Sequence, residues 1–283
     1  MALTCPSTFD TAFLRDQVRA TYEQVAQHPE GDFHFHRGAD YAVQFLDYDR
    51  EELRQLPREC AARFAGVGNP ILIGDADPTL GAICPGQTVL DHACGAGMDL
   101  LLAARRVGPT GTAIGVDLTP GMRQVAHQAA RHAGLSDRVD IRDGVYEELP
   151  VDDASVDVVI SNGVVNLAPD KVRVFREIYR VLKPGGHLFL ADVVVQRELT
   201  LEARNNPVLW AACVGGALVE PELYTLAAQT GFENGKVVKR FNCFYNTSAE
   251  AKVAKDLFVH AVNFVASKPK HLPSRSGGRM IWG

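Results

Sequence analysis

The sequence predicts a doubly wound α/β fold, with a mainly parallel sheet covered by helices on both faces. Three features carry this prediction: short apolar runs alternate with helical segments through the middle of the chain, a glycine-bearing turn joins the first run to its helix, and an aspartate closes the second run. Strands are expected at Thr88 to Asp91, Thr112 to Asp117, Val139 to Asp143, Val156 to Ser161 and His187 to Val195. Helices are expected at Met98 to Val107, Pro120 to Ala133 and Lys171 to Leu182, the last leading through Lys183-Pro184-Gly185-Gly186 into the next strand. Ligands of such sheets bind beyond the carboxyl ends of the strands.

The flanks are less regular. Residues 9 to 28 form an amphipathic helix, with Phe13, Leu14, Val18, Tyr22, Val25 and Ala26 apolar, which His28, Pro29 and Gly31 stop. A polar, aromatic loop follows, then a helical region from Asp49 to Phe64 interrupted at Pro57, then a turn at Gly66, Gly68, Asn69 and Pro70. After Val195 the pattern gives helical pieces around Glu202 to Ala217 and Pro221 to Thr230, a strand near Val237 to Phe244 and a helix near Ala249 to Ala266. The stretch Lys268 to Gly283 reads as a loose tail or covering arm. The expected organisation is a helical cap over residues 1–70, a cofactor-binding core over 71–195 and a substrate-covering extension over 196–283.

With 283 residues, 46% apolar and 22% charged, the chain can bury a sizeable core. A net charge of -5 without a dense Lys/Arg stripe argues against a nucleic-acid partner and for a small-molecule substrate. No apolar run reaches the roughly 18 residues of a membrane span, and Met1 to Pro6 lacks the basic and apolar regions of a signal, which places the chain in the cytoplasm. The six cysteines, at 5, 60, 84, 94, 213 and 243, show no CxxC spacing and are expected as reduced thiols.

The string Val89-Leu90-Asp91-His92-Ala93-Cys94-Gly95-Ala96-Gly97-Met98 carries the cofactor reading. Gly95 and Gly97 let the backbone approach a ligand, and the following helix offers free N–H groups to an anionic group. A dinucleotide fingerprint beginning at Gly95 would need a small residue where Leu100 stands. Asp117, 22 residues beyond Gly95, suits a ribose diol. A ribose without a pyrophosphate points to S-adenosylmethionine.

This arrangement resembles the class I S-adenosylmethionine-dependent methyltransferases, whose first motif reads D-x-G-x-G-x-G, with Ala93 standing at a usual glycine. The resemblance covers residues 85 to 195 and implies that Asp91, Ala93, Gly95, Gly97, Asp117, Leu118 and Met122 hold the cofactor. It also implies that Gly144, Val145 and Tyr146, in Asp143-Gly144-Val145-Tyr146-Glu147, lie against its adenine.

Further strings are similar to the arsenite methyltransferase family. Ser161-Asn162-Gly163-Val164-Val165-Asn166-Leu167 followed by Pro169-Asp170-Lys171 resembles S-N-C-V-x-N-L-x-x-D-K, and Leu209-Trp210-Ala211-Ala212-Cys213-Val214-Gly215-Gly216-Ala217-Leu218 resembles L-W-x-x-C-x-G-G-A-L. Ala65-Gly66-Val67-Gly68-Asn69-Pro70 is similar to G-C-G-N-P, and Tyr22 matches a tyrosine that closes over the cofactor. This resemblance implies that Asn162 and Gly163 border the methyl group. At the family's three matching cysteine positions the chain has Val67, Gly163 and Cys213.

One thiolate cannot form a trigonal sulfur site for arsenic, so the residues favour S-methylation of sulfide or a small thiol such as methanethiol. Arsenite methylation requires a site rebuilt from Cys60, Cys84, Cys94 or Cys243. Methylation of a small organic metabolite and binding of S-adenosylmethionine without catalysis are the further alternatives. Besides Cys213, the candidate acceptor-side residues are His34 and His36 in Phe33-His34-Phe35-His36, Asn166 and Tyr245. His34 and His36 would share one side of an extended segment, but no third ligand near them completes a metal site.

Overall fold

The structure is a computed structural model and describes residues 5, 10–206, 209–210, 213–245 and 258–271. Its sheet runs in the order β3-β2-β1-β4-β5-β8-β7. The parallel part consists of β1 (Thr88–His92), β2 (Thr112–Asp117), β3 (Val139–Asp143), β4 (Val156–Asn162) and β5 (Leu182–Val195). The short β6 (Leu218–Val219) also pairs with β5 in parallel, whereas β8 (His260–Ser267) pairs antiparallel with β5 and with β7 (Glu233–Phe241). The chain reverses strand order beside β1, so the carboxyl ends of β1, β2 and β4 open the crevice such folds use for ligands.

Helices α6 (Met98–Val107), α7 (Pro120–His132) and α8 (Lys171–Val181) match their expected positions to within a residue. Asp170 caps α8 by accepting from the Arg173 N–H at 2.9 Å. Ahead of the sheet come α1 (Thr11–Gln27), α2 (Gly38–Phe45), α3 (Arg50–Arg54), α4 (Arg58–Ala61) and α5 (Leu72–Ala76); beyond β5 come α9 (Leu201–Arg204) and α10 (Glu220–Gln229). Helix α1 packs on α7, where Glu23 accepts from the Gly121 N–H at 3.0 Å and so ties the front segment to the first turn of a core helix.

Three expectations are corrected. The aromatic segment after Gly31 contains α2, which buries Tyr41 and Ala42; eight residues without a side-chain cap are too few to show helical periodicity. The helix expected over residues 249–266 is strand β8 across its described part, residues 249–257 lying outside the described residues. Flanked by β5 and β7, β8 is buried along nearly its whole length, and a continuous apolar run of that kind cannot be told from a buried helix by period. The helical pieces expected over Glu202 to Ala217 are helical at α9 and at residues 209–210 but not from Cys213 on, where the chain turns at φ 61. Residues 207, 208, 211 and 212 of that stretch, and 272–283 of the expected tail, lie outside the described residues.

Candidate active site

The backbone between β1 and α6 is left-handed at Ala93 (φ 66), Gly95 (φ 52) and Gly97 (φ 90), so it coils tightly and turns N–H groups outward. A Cβ added to Gly95 would meet nothing within 4 Å, which leaves this backbone open to a ligand. Asp117 braces the turn: its Oδ2 accepts from the Gly95 N–H at 2.8 Å and its Oδ1 from the Thr119 N–H at 2.7 Å.

This turn forms one wall of a cleft with about 910 Å3 of open space. Of the expected cofactor residues, Tyr22, Asp91, Ala93, Gly95, Asp117, Leu118, Met122, Gly144, Tyr146, Asn162 and Gly163 border it. Gly97 and Val145 stand just behind the wall, the first as the N-cap of α6 and the second bridged to Glu148. Sequence reading missed several further lining groups, among them Val18, Phe64 and Asp99, while Cys60 and Cys94, two of the cysteines from which a thiolate site could be rebuilt, also border the cleft.

Three carboxylates, Asp91, Asp99 and Asp117, face this one cleft. Burial raises the pKa of each, that of Asp91 well above the carboxylate range with Asp99 and Asp117 adding to it, and that of Asp99 to about 6. Asp99 is compensated by Tyr48 Oη (2.7 Å) and Asn162 Nδ2 (2.9 Å), whereas Asp91 Oδ2 is buried without a hydrogen-bond partner. An orphaned carboxylate oxygen in an acidic cleft fits a cationic ligand and disfavours a pyrophosphate. S-adenosylmethionine, with its ammonium, sulfonium and ribose, matches this donor set. Asp91 and Asp117 are the residues of this wall that could hold the ammonium and the ribose hydroxyls of such a cofactor.

The front segment closes the cleft through one side chain of β4. Asn162 Oδ1 accepts from the N–H groups of Val67 (2.8 Å) and Gly68 (3.2 Å), and its Nδ2 donates to the Gly68 carbonyl (3.0 Å). Asn69 is clasped likewise by Asn263 of β8: Asn263 Oδ1 accepts from the Asn69 N–H (3.1 Å) and Asn263 Nδ2 donates to the Asn69 carbonyl (2.6 Å). Behind Tyr146, His92 bonds to Ser161 Oγ (3.2 Å) and the Tyr146 carbonyl (3.4 Å), and burial lowers its pKa to about 4, so it is a neutral strut.

Cys213, His34, His36, Asn166 and Tyr245 do not border this cleft. His36 and Tyr245 meet, His36 Nε2 lying 2.6 Å from the Tyr245 carbonyl, while the His34 ring packs edge-on against Phe35. Asn166 Nδ2 donates to Asp192 (2.7 Å), which also accepts from the Val165 N–H (2.6 Å). Trp210, a suspected core aromatic, is buried with its Nε1 on the Arg204 carbonyl (2.7 Å) and Lys171 Nζ 4.7 Å from its ring centre. Cys213 is 6% exposed, in the turn where a Cβ on Gly216 would come within 2.0 Å of the Asn166 carbonyl. The glycines of that string are therefore required by packing.

A family model described as a methyltransferase domain matches residues 83–235. The arsenite methyltransferase of Halobacterium salinarum is 41% identical over 188 residues, which is 66% of this chain and 46% of that protein. The human arsenite methyltransferase is 37% identical over 191 residues, 65% of this chain and 48% of that protein. The chain thus spans about half the length of the curated relatives it matches. The crystal structure of an arsenic(III) S-adenosylmethionine methyltransferase from Chlamydomonas reinhardtii superposes with a TM-score of 0.66 at 32% identity, covering 80% of this chain and 74% of that one. With the acidic cleft, the strand order and these similarities together, the chain belongs to the methyltransferase domain family, as a class I S-adenosylmethionine-dependent member related to the arsenite methyltransferases.

Proposed function

We propose that the chain transfers the methyl group of S-adenosylmethionine to a small, soft acceptor, and that this acceptor is trivalent arsenic. The observation that carries this reading is the buried Cys213, held in a turn shaped by glycine packing behind the residues that border the cleft. Tyr22, which borders the cleft, packs against the hydrophobic cluster that contains Cys213. The residues alone put sulfide or a small thiol first, because Val67 and Gly163 carry no sulfur. The named relatives favour the arsenic reading, provided a second thiol reaches Cys213.

Bound S-adenosylmethionine supplies a methyl group activated by its sulfonium. The chain binds and orients it through Asp91, Asp117 and the Gly95 turn, and the loop clasped by Asn162 covers the cleft from water. No histidine is among the described residues that border the cleft. That suits an acceptor attacking through a lone pair, which has no proton to surrender, and disfavours a hydroxyl or ammonium acceptor that needs a base.

The test is to incubate the protein with S-adenosylmethionine and, separately, arsenite, sulfide and methanethiol, measuring demethylated cofactor and methylated products. Methylated arsenic supports the proposal. Turnover with sulfide or methanethiol alone replaces it with the second reading, which the missing sulfur at Val67 and Gly163 favours. Silence with all three removes both and leaves a larger acceptor or a binding protein.

A further inference from the structure

Asp99 and Asn162 both border the cofactor cleft, and they meet where separate stretches of chain converge. Asp99 stands in the first turn of α6, the helix that follows the Gly95 turn, and Asn162 ends β4. Tyr48 comes from the front segment between α2 and α3, and residues 66–68 from the loop between α4 and α5. The hydrogens at this junction can be assigned one by one. The Tyr48 hydroxyl has a single hydrogen, and its contact with Asp99 Oδ1 (2.7 Å) takes precedence over the Gly68 carbonyl (3.3 Å). The Asn162 amide has two, which reach Asp99 Oδ2 (2.9 Å) and the Gly68 carbonyl (3.0 Å), with Tyr48 Oη beside them at 3.2 Å.

An ionised carboxylate only accepts, so the amide can present only its Nδ2 to Asp99. Its Oδ1 is thereby turned to the N–H groups of Val67 (2.8 Å) and Gly68 (3.2 Å). A reversed amide would set an NH2 group against those two donors and a carbonyl oxygen against the carboxylate. The fit leaves no room beside it, since a Cβ on Gly66 would overlap the Asn162 amide. We propose that Asp99 is a positioning residue that fixes the orientation of the Asn162 amide and so holds the 66–68 loop closed on the cofactor cleft. That loop carries Val67, which faces Gly163, so the same carboxylate sets the acceptor-side wall relative to the cofactor turn. Lifting the loop breaks its three bonds to the Asn162 amide, which slows release of S-adenosylmethionine whichever acceptor is methylated.

The experiment follows release of S-adenosylmethionine by stopped-flow chase, and amide hydrogen exchange of the ligand-free proteins by mass spectrometry, in wild type, Asp99→Asn, Asn162→Ala and the double variant. Asp99→Asn puts a donor where the carboxylate had only acceptors. It is expected to speed release on the order of 10-fold and to raise exchange in the peptide spanning residues 65–70, leaving α7 unchanged. In the Asn162→Ala background the same change is expected to add nothing, because the amide through which it acts is gone. A further gain in release rate in the double variant would assign Asp99 a direct contact with the cofactor and overturn the proposal. Unchanged exchange across residues 65–70 overturns it too, and so does exchange raised equally in α7, which would make Asp99 a general stabiliser. If Asp99→Asn does not fold, Tyr48→Phe repeats the test with the charge in place: by removing one of the two donors that anchor the carboxylate it is expected to raise exchange in the same peptide, and an unchanged peptide overturns the proposal.

Discussion

Gly163 and Val67 face each other at the edge of the cofactor cleft: a Cβ on Gly163 would lie 3.5 Å from Val67 Cγ1. These are the two, of the three positions at which the resemblance to the arsenite methyltransferases implies a cysteine, where this chain has none. A thiol at Gly163 would sit against the Val67 methyls and add a sulfur ligand on this side of the cleft.

Gly163→Cys is therefore expected to tighten arsenite binding about 10-fold or more, read by calorimetry, through an added soft ligand. Its φ of +75° makes any side chain there strained, so the same variant is expected to lose about 1 kcal/mol of stability. Unchanged arsenite affinity would show that Cys213 and this position do not share an acceptor.

Asp91 carries an opposed pair of effects. Its buried, unpartnered oxygen and its raised pKa mean that an ionised carboxylate would cost the ligand-free protein stability, a cost that a bound ammonium would offset. Asp91→Asn is expected to raise the ligand-free melting temperature by a few degrees, roughly 1 kcal/mol, while weakening S-adenosylmethionine binding by about 1 to 3 kcal/mol. Differential scanning fluorimetry with and without cofactor reads both. A variant that loses stability and keeps affinity would remove Asp91 from the ammonium site.

Asp117 makes the complementary case, because its carboxylate already holds the Gly95 and Thr119 N–H groups. Asp117→Ala is expected to cost about 1 to 3 kcal/mol of cofactor affinity by calorimetry and, unlike Asp91→Asn, to lower stability as well, since buried N–H groups lose their acceptor.

Ala93 shows how a departure from a motif becomes physical. The family pattern has glycine there, and the structure explains the preference: the residue is left-handed, at φ 66. Ala93→Gly is expected to stabilise the protein by about 0.5 to 1 kcal/mol in urea denaturation, the relief of backbone strain exceeding the entropy glycine adds to the unfolded chain. A destabilised variant would mean that the Ala93 methyl contributes more by packing than its backbone costs.

The core strands and helices were legible because each has its own period and a capping or breaking residue, as with Asp170 before α8 and Gly97 before α6. Local signals also sufficed for the Gly95 turn and Asp117. What failed was non-local. Strand β8 reads as a helix because burial on both sides erases the alternation that marks a strand, and α2, without a side-chain cap, packs its Phe45 ring against Tyr245, two hundred positions away. Asp99 was unassigned for the same reason: a carboxylate partnered by Tyr48 and Asn162 acquires its place in the cleft only when the chain folds.

His92 gives a prediction in pH. Burial lowers its pKa from 6.5 to about 4, so between those values the unfolded chain binds a proton that the folded chain refuses. The folded state is then favoured fully above pH 6.5, and this contribution, on the order of 3 kcal/mol, is lost as pH falls to about 4. Asp99 and Asp192, whose pKa values burial raises to about 6, act in the opposite direction over part of the same window, so the wild-type profile alone does not isolate the histidine. The difference between wild type and His92→Asn does. The variant lacks the titrating ring but keeps the carboxylates, and its stability deficit at pH 7 is expected to shrink steadily as pH falls from 6.5 towards 4. Urea denaturation of both proteins at half-unit pH steps measures it, and a deficit that stays constant with pH would mean that His92 carries its charge inside the folded protein.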